Sequence, residues 1–205
     1  MDGSFRTVRG RKRSRRWRLL GPVAVVLVAL FIALVLMLRV PGQLEERVQR
    51  AMHPLEYEQS IVAASERYDL EPALVAGVIH TESRFRPQAE SPEGAYGLMQ
   101  ILPETAEFIS QQSGIQGDYQ EPEVNVFMGT WYLSYLEGQY PGDERIALAA
   151  YNAGRGNVDG WLQSEEFDVE EDIPFPETRE YVEDVNEARD SYAELYGSDL
   201  DGTPE

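Results

Sequence analysis

Glu82 sits in the segment ALVAGVIHTESRF, four residues after Val78, three after Ile79 and seven after Val75. On a helix this spacing puts its carboxyl group on the same stripe as apolar side chains. A carboxylate held there is costly to ionise. Desolvation would lift its pKa toward the range in which a side chain can donate and then recover a proton near neutral pH. Taken alone, the segment favours an ordinary solvated carboxylate at a helix end, since isolated acids usually face water. Other chemistries have fewer candidates. The chain has no Cys, which excludes disulfides, thiolate catalysis, N-terminal lipidation through Cys and Cys-ligated zinc. Its two histidines, His53 and His80, stand in no metal-ligand spacing, so neither a catalytic metal nor a cofactor is expected.

Glu82 belongs to an ordered series of motifs: VIHTESRFRP, SPEGAYGLMQILPETA, NVFMGTWYLSYL, AYNAGRGNV and IPFPETREYV. In this order they resemble the catalytic domain of the soluble lytic transglycosylases, and the resemblance covers Glu58 to Tyr192. It implies an all-α, goose-type lysozyme-like domain that cleaves peptidoglycan. It also implies a catalytic role for Glu82, as the Glu of the Glu-Ser pair. The Gly-Leu-Met-Gln and Tyr-Asn-Ala-Gly segments of that family correspond to Gly97–Gln100 and Tyr151–Gly154. From these the resemblance offers Met99, Gln100, Tyr151 and Asn152 as substrate-binding candidates, with Ser91 and Glu177 near the cleft.

The residue types admit plainer roles as well. Gln100 offers both a donor and an acceptor to a saccharide, Tyr151 a flat face with a polar tip, and Ser83 a local hydrogen bond. Met99 is as suitable for a core as for a cleft. Gly94 and Gly97 allow tight turns or close approach, and Gly154 with Gly156 reads as a helix stop. Trp131, Tyr132, Trp161 and Phe175 are expected in the core or in a wall of the cleft.

The implied reaction needs one carboxyl group. Glu82 would protonate the bond between N-acetylmuramic acid and N-acetylglucosamine, then take the proton of the muramoyl C6 hydroxyl as it closes on C1, leaving a 1,6-anhydromuramoyl end. Two other functions compete. A goose-type muramidase would use water, and a non-catalytic, membrane-tethered scaffold would only bind glycan.

Elements that could position these residues follow from periodicity. Apolar positions recur at helical spacing from Glu58 onward, and no alternating run is long enough to require a substantial sheet. Helices are expected at Thr105 to Gln112, Val124 to Leu136, Arg145 to Tyr151 and from Glu177 or Thr178 to Tyr196, besides the one carrying Glu82 behind Pro72. The domain is thus bounded as 58–192, with a frayed acidic tail over 193–205.

Ahead of it, Leu19 to Leu38 is an uncharged apolar run of the length that spans a bilayer. Residues 1–18 hold eight of the nine basic residues found up to position 39, with only Arg39 at the far end. The positive-inside bias therefore predicts a single-pass anchor in the cytoplasmic membrane, with the N-terminus inside and the domain in the periplasm. No small-x-small cleavage site follows the run, which favours an anchor over a signal peptide. Residues 39–57, with Pro41, Gly42 and Pro54, read as a tether. From Val40 onward nine arginines, no lysine and thirty-five acids leave a formal charge of −26. That balance excludes a nucleic-acid partner for the domain and leaves peptidoglycan strands and the membrane as the expected partners.

Overall fold

The computed structural model describes residues 27–28, 31, 44–163, 167–168 and 172–200. The chain divides into two units, Met1–Arg47 and Val48–Glu205. In the first, Leu27, Val28, Phe31 and residues 44–47 are helical and exposed. The basic segment and nearly all of the apolar run 19–38 lie outside the described residues, as does the end of the tail, 201–205. Among the described residues no helix is long and apolar enough to cross a membrane.

The second unit is built from seven helices among the described residues: α1 (Glu58–Tyr68), α2 (Pro72–Ser83), α3 (Pro103–Ser113), α4 (Pro122–Gln139), α5 (Glu144–Ala153), α6 (Arg155–Trp161) and α7 (Pro176–Leu200). Pro72, Pro103 and Pro122 stand at the helix starts of α2, α3 and α4, where the missing N–H costs nothing. Asp143 begins α5 by accepting the Arg145 backbone N–H at 3.0 Å. Left-handed residues end α1, α2 and α3, namely Asp69, Arg84 and Gly114. The all-α expectation holds, with only the isolated bridges Glu90–Tyr96 and Tyr96–Ile101 among the described residues.

Helix α2 is the axis of this unit. Every residue from Ala73 to Ile79 is buried, so the helix is apolar on all faces rather than along one stripe. Each Leu, Ile or Val so enclosed contributes roughly 1.5–3 kcal/mol relative to exposure. Its principal neighbour is α7, which lines up Tyr181, Val182, Val185, Ala188, Tyr192 and Tyr196 as buried residues. The two backbones meet at Gly77, where a Cβ would lie 2.9 Å from the Arg189 nitrogen and 3.0 Å from the Val185 carbonyl oxygen. Backbone atoms cannot swing aside. Gly77→Ala is therefore expected to destabilise the fold by about 1–3 kcal/mol through overpacking. Thermal unfolding of the variant checks this, and an unchanged melting temperature would contradict it.

Three features differ from the periodicity reading. Helix α6 is not expected from the sequence, because Gly154 and Gly156 read as a stop; in fact Val158 is buried and anchors one further short helix. Helix α7 runs on to Leu200, with Tyr196 and Leu200 buried, so its last two turns occupy part of the expected tail. The end of the expected tether is also docked: the Tyr196 hydroxyl donates to the His53 carbonyl at 2.8 Å, and the Tyr192 hydroxyl to the Pro54 carbonyl at 2.9 Å.

Candidate active site

Glu82 occupies the last turn of α2, and the chain reverses immediately after it. Arg84 and Phe85 both adopt left-handed backbone angles, φ 51° and 58°, an uncommon pair for residues with a Cβ. Phe85 is buried against Tyr192 at a ring separation of 5.7 Å, which holds the turn in place. The Ser83 hydroxyl donates to the Ile79 carbonyl at 3.1 Å, the local role its type suggests.

Burial pushes the Glu82 carboxyl up to about 7. The residue keeps partial contact with solvent while its carboxyl is enclosed. The Tyr181 hydroxyl opposes the rise by favouring the carboxylate. That hydroxyl is buried and meets no acceptor in full hydrogen-bond geometry, so the two groups face each other without a closed bond. Tyr151, from α5, is the third member. Burial first, and then the charge of Glu82, hold both the Tyr151 and Tyr181 hydroxyls well above the ordinary phenol range. No second acid contributes to the Glu82 shift. The arrangement is a single carboxyl group with a near-neutral pKa between two neutral phenols.

The loop between α2 and α3 carries the remaining candidates. Tyr151 donates to the Met99 carbonyl oxygen at 2.9 Å, which ties α5 to this loop. The Met99 side chain itself is wholly buried, packed on Gly129 and contacted by the Thr130 hydroxyl at 3.8 Å. Its thioether thus offers no surface to a saccharide in this conformation and serves as support, which corrects the cleft reading of that side chain. Gln100 is left-handed at φ 47°, and its amide nitrogen donates to the Ala89 and Gly97 carbonyls at 3.1 and 2.9 Å. Its donor capacity goes to the loop. Ser91 shapes the preceding turn by accepting from the Glu93 and Ala95 backbone N–H groups, both at 3.2 Å.

Asn152 is exposed and accepts from the buried Thr178 hydroxyl at 2.7 Å, linking α5 to the first turn of α7. Glu177 is exposed one turn before Tyr181, on the same side of α7. An aromatic wall stands beside Tyr151, beginning with Tyr132 at 5.6 Å and continuing through Tyr135 to Trp131, stacked at 5.3 Å. Trp161 meets Phe175 edge-on at 5.2 Å. Phe175 is 42% exposed and is a wall residue rather than a core one.

Two residues escape the motif reading. Tyr181 lies in IPFPETREYV but carries no sign of facing Glu82 beyond its place four residues after Glu177. Asn125 is fully buried in α4: its side-chain oxygen accepts the Met99 N–H at 2.8 Å, and its nitrogen donates to the Tyr96 and Tyr119 carbonyls at 2.9 and 2.8 Å. Gly97 is pressed against it, since a Cβ there would come within 2.5 Å of the Asn125 nitrogen. An Asn between Val124 and Val126 in an apolar helix is the available signal.

The chain is similar in sequence and fold to known proteins. Residues 59–173, more than half of the chain, match the Transglycosylase SLT domain. The soluble lytic murein transglycosylase of Salmonella typhimurium is 35% identical over 156 residues, covering 71% of this chain and 24% of that protein. The membrane-bound lytic murein transglycosylase C of Actinobacillus pleuropneumoniae is 29% identical over 185 residues, covering 76% of this chain and 49% of the relative. The crystal structure of the 70 kDa soluble lytic transglycosylase from Escherichia coli superposes with a TM-score of 0.68 at 33% identity, covering 74% of this chain and 26% of that one. The chain thus spans about a quarter of the length of the soluble curated relatives. With an all-α fold, a superposable solved relative and a matched domain over more than half its length, the chain belongs to the transglycosylase SLT domain family.

Proposed function

We propose that this protein is a peptidoglycan lytic transglycosylase in which Glu82 is the acid and then the base of a non-hydrolytic cleavage. The observation that carries the reading is the enclosed Glu82 carboxyl group, lifted to about 7 with no other acid acting on it. Ordinary glycosidases place two carboxyl groups across the bond, the second to attack or to activate water. One carboxyl suffices if the nucleophile belongs to the sugar.

Protonated Glu82 gives its proton to the oxygen linking N-acetylmuramic acid to N-acetylglucosamine, and the bond from that oxygen to muramoyl C1 breaks. The carboxylate then removes the C6 hydroxyl proton as O6 bonds to C1, which restores Glu82 and consumes no water. Tyr181 and Tyr151 remain neutral throughout, and the Tyr181 hydroxyl favours the charge that Glu82 carries midway. Holding O6 against C1 converts the second half into an intramolecular closure, which benefits from proximity. Ser91, Gln100, Asn152 and Glu177 are assigned to sugar contact and Met99 to the support beneath them. No cofactor takes part.

Mass analysis of fragments released from purified peptidoglycan tests the reaction. Anhydro ends are one water lighter than reducing ends. Reducing ends would instead identify a muramidase, and no fragments at all a glycan-binding scaffold.

The pH profile offers a further check. General acid catalysis needs protonated Glu82, and that fraction falls as pH rises through about 7. The ratio kcat/KM is expected to hold below neutrality and to drop about tenfold for each pH unit above that point, before denaturation intervenes. A profile flat from pH 6 to about pH 9 would remove Glu82 as the acid.

The proposal extends to place. The apolar run 19–38 and the basic residues before it support a single-pass anchor in the cytoplasmic membrane with the domain on the periplasmic side, and the name of the Actinobacillus relative is consistent with membrane attachment. Protease added to intact spheroplasts should remove the domain. Protection would reverse the topology, and a mature chain beginning after Leu38 would replace the anchor by a cleaved leader.

A further inference from the structure

On an α-helix, residues two apart point to opposite faces, so His80 lies behind α2 relative to Glu82. A cleft of about 270 Å³ opens there, lined by His53, His80, Thr81, Arg84, Asp184 and Glu187. Its charges are arranged unusually. Arg84 comes from the end of α2, and Asp184 and Glu187 stand one turn apart on α7, yet among the described residues Arg84 closes no ion pair with either. The two imidazoles stack at 4.9 Å, and the His80 Nδ1 lies 3.2 Å from the Tyr192 hydroxyl. Burial, His53 and Arg84 hold His80 down to about 4, so it is neutral at ordinary pH and adds no charge to the cleft. Below it the Thr81 hydroxyl is buried without a partner, an uncompensated polar group of the kind that a bound ligand or water relieves.

From this juxtaposition we infer that the cleft behind α2 binds a compact zwitterion, an amino acid or short peptide whose carboxylate faces Arg84 and whose ammonium faces Asp184 and Glu187. A simple anion would meet the two α7 carboxylates, a simple cation would meet Arg84, and a neutral sugar would leave all three charges unanswered. Only a ligand bearing both signs answers the whole lining, and the stacked imidazoles supply a flat wall for its carbon skeleton. The cleft is open to solvent, so the binding is weak and screened by salt. The site is independent of the Glu82 reading, since no residue is shared between the two.

The chain contains only two histidines and both line the cleft, so their ring resonances report on it directly. The probe is the dipeptide dialanine, added to full-length protein in detergent with ring-labelled histidine. Dialanine should shift both signals saturably, and its N-acetylated and amidated forms should each bind about two- to fivefold more weakly, as expected for losing one solvent-exposed charge contact. Asp184→Asn should weaken dialanine binding while leaving the N-acetylated form unchanged, and Arg84→Gln should do the reverse with the amidated form. A glycan-linked stem peptide that carries a free side-chain ammonium and a free terminal carboxylate forms a second arm: tighter binding than dialanine marks the cell wall as the source of the ligand, equal or weaker binding a soluble peptide. Unmoved histidine signals, or blocked dipeptides that bind as well as dialanine, would overturn the inference. Glycan cleavage by the Asp184 variant should match wild type, and its melting temperature shows whether it is folded.

Discussion

Glu82→Gln is expected to lower cleavage of purified peptidoglycan by about 10²–10⁴-fold or more while retaining glycan binding, because the amide keeps the shape and loses the proton. Stability supplies a second, opposite signature. Folding raises the pKa of Glu82 from its ordinary value to about 7, so between these values the native chain holds a proton that the unfolded chain has released. Its contribution to stability is full below the unfolded pKa and is lost as pH rises through about 7, where an enclosed carboxylate must ionise. Gln carries no such penalty. The melting temperature of Glu82→Gln should therefore approach that of wild type near pH 5 and exceed it progressively toward pH 8. Parallel melting curves across that range would mean that Glu82 is solvated after all, and undiminished turnover would end its catalytic assignment.

The helix that carries Glu82 was legible because its cues are local. Pro72 marks the start of the helix, and Val75, Val78 and Ile79 put the acid among apolar groups before any fold is known. Even so, the stripe understated the burial: α2 is enclosed on every face, which only the packing of α7 at Gly77 reveals. The binding candidates were less legible for a physical reason. Gln100 and Met99 stand side by side in one motif, but their side chains are spent on partners that spacing does not disclose, the carbonyl of Ala89 for the first and Gly129 of α4 for the second. Tyr181 faces Glu82 from 99 positions further along the chain, and nothing nearer in sequence announces it. Likewise α6 was hidden because its two glycines, Gly156 and Gly160, lower local helix preference, while the burial of Val158 compensates.

Asn125→Ala should be the most disruptive single change outside the catalytic carboxyl. The side chain is fully buried and makes three hydrogen bonds, to the Met99 N–H and to the Tyr96 and Tyr119 carbonyls. The Tyr96 carbonyl keeps a second donor, the Ile101 N–H at 3.0 Å, so the variant orphans the Met99 N–H and the Tyr119 carbonyl. A buried unsatisfied group costs about 1–3 kcal/mol, so the loss is roughly 2–5 kcal/mol, or about 4–15 °C in Tm for a domain of this size. Asn125→Asp separates hydrogen bonding from volume: it keeps the acceptor for Met99 but turns an oxygen toward two carbonyls, and should be worse than Ala at neutral pH. Activity should fall in both, since the Met99 carbonyl that positions Tyr151 moves with this loop. The decisive measurement is a double-mutant cycle with Gly97→Ala. In the wild-type background the new methyl comes within 2.5 Å of the Asn125 nitrogen, whereas in the Asn125→Ala background that collision disappears and only the cost of φ +88° remains. The two substitutions should therefore be less destabilising together than the sum of each alone. Strict additivity would show that Asn125 does not brace the loop at Gly97.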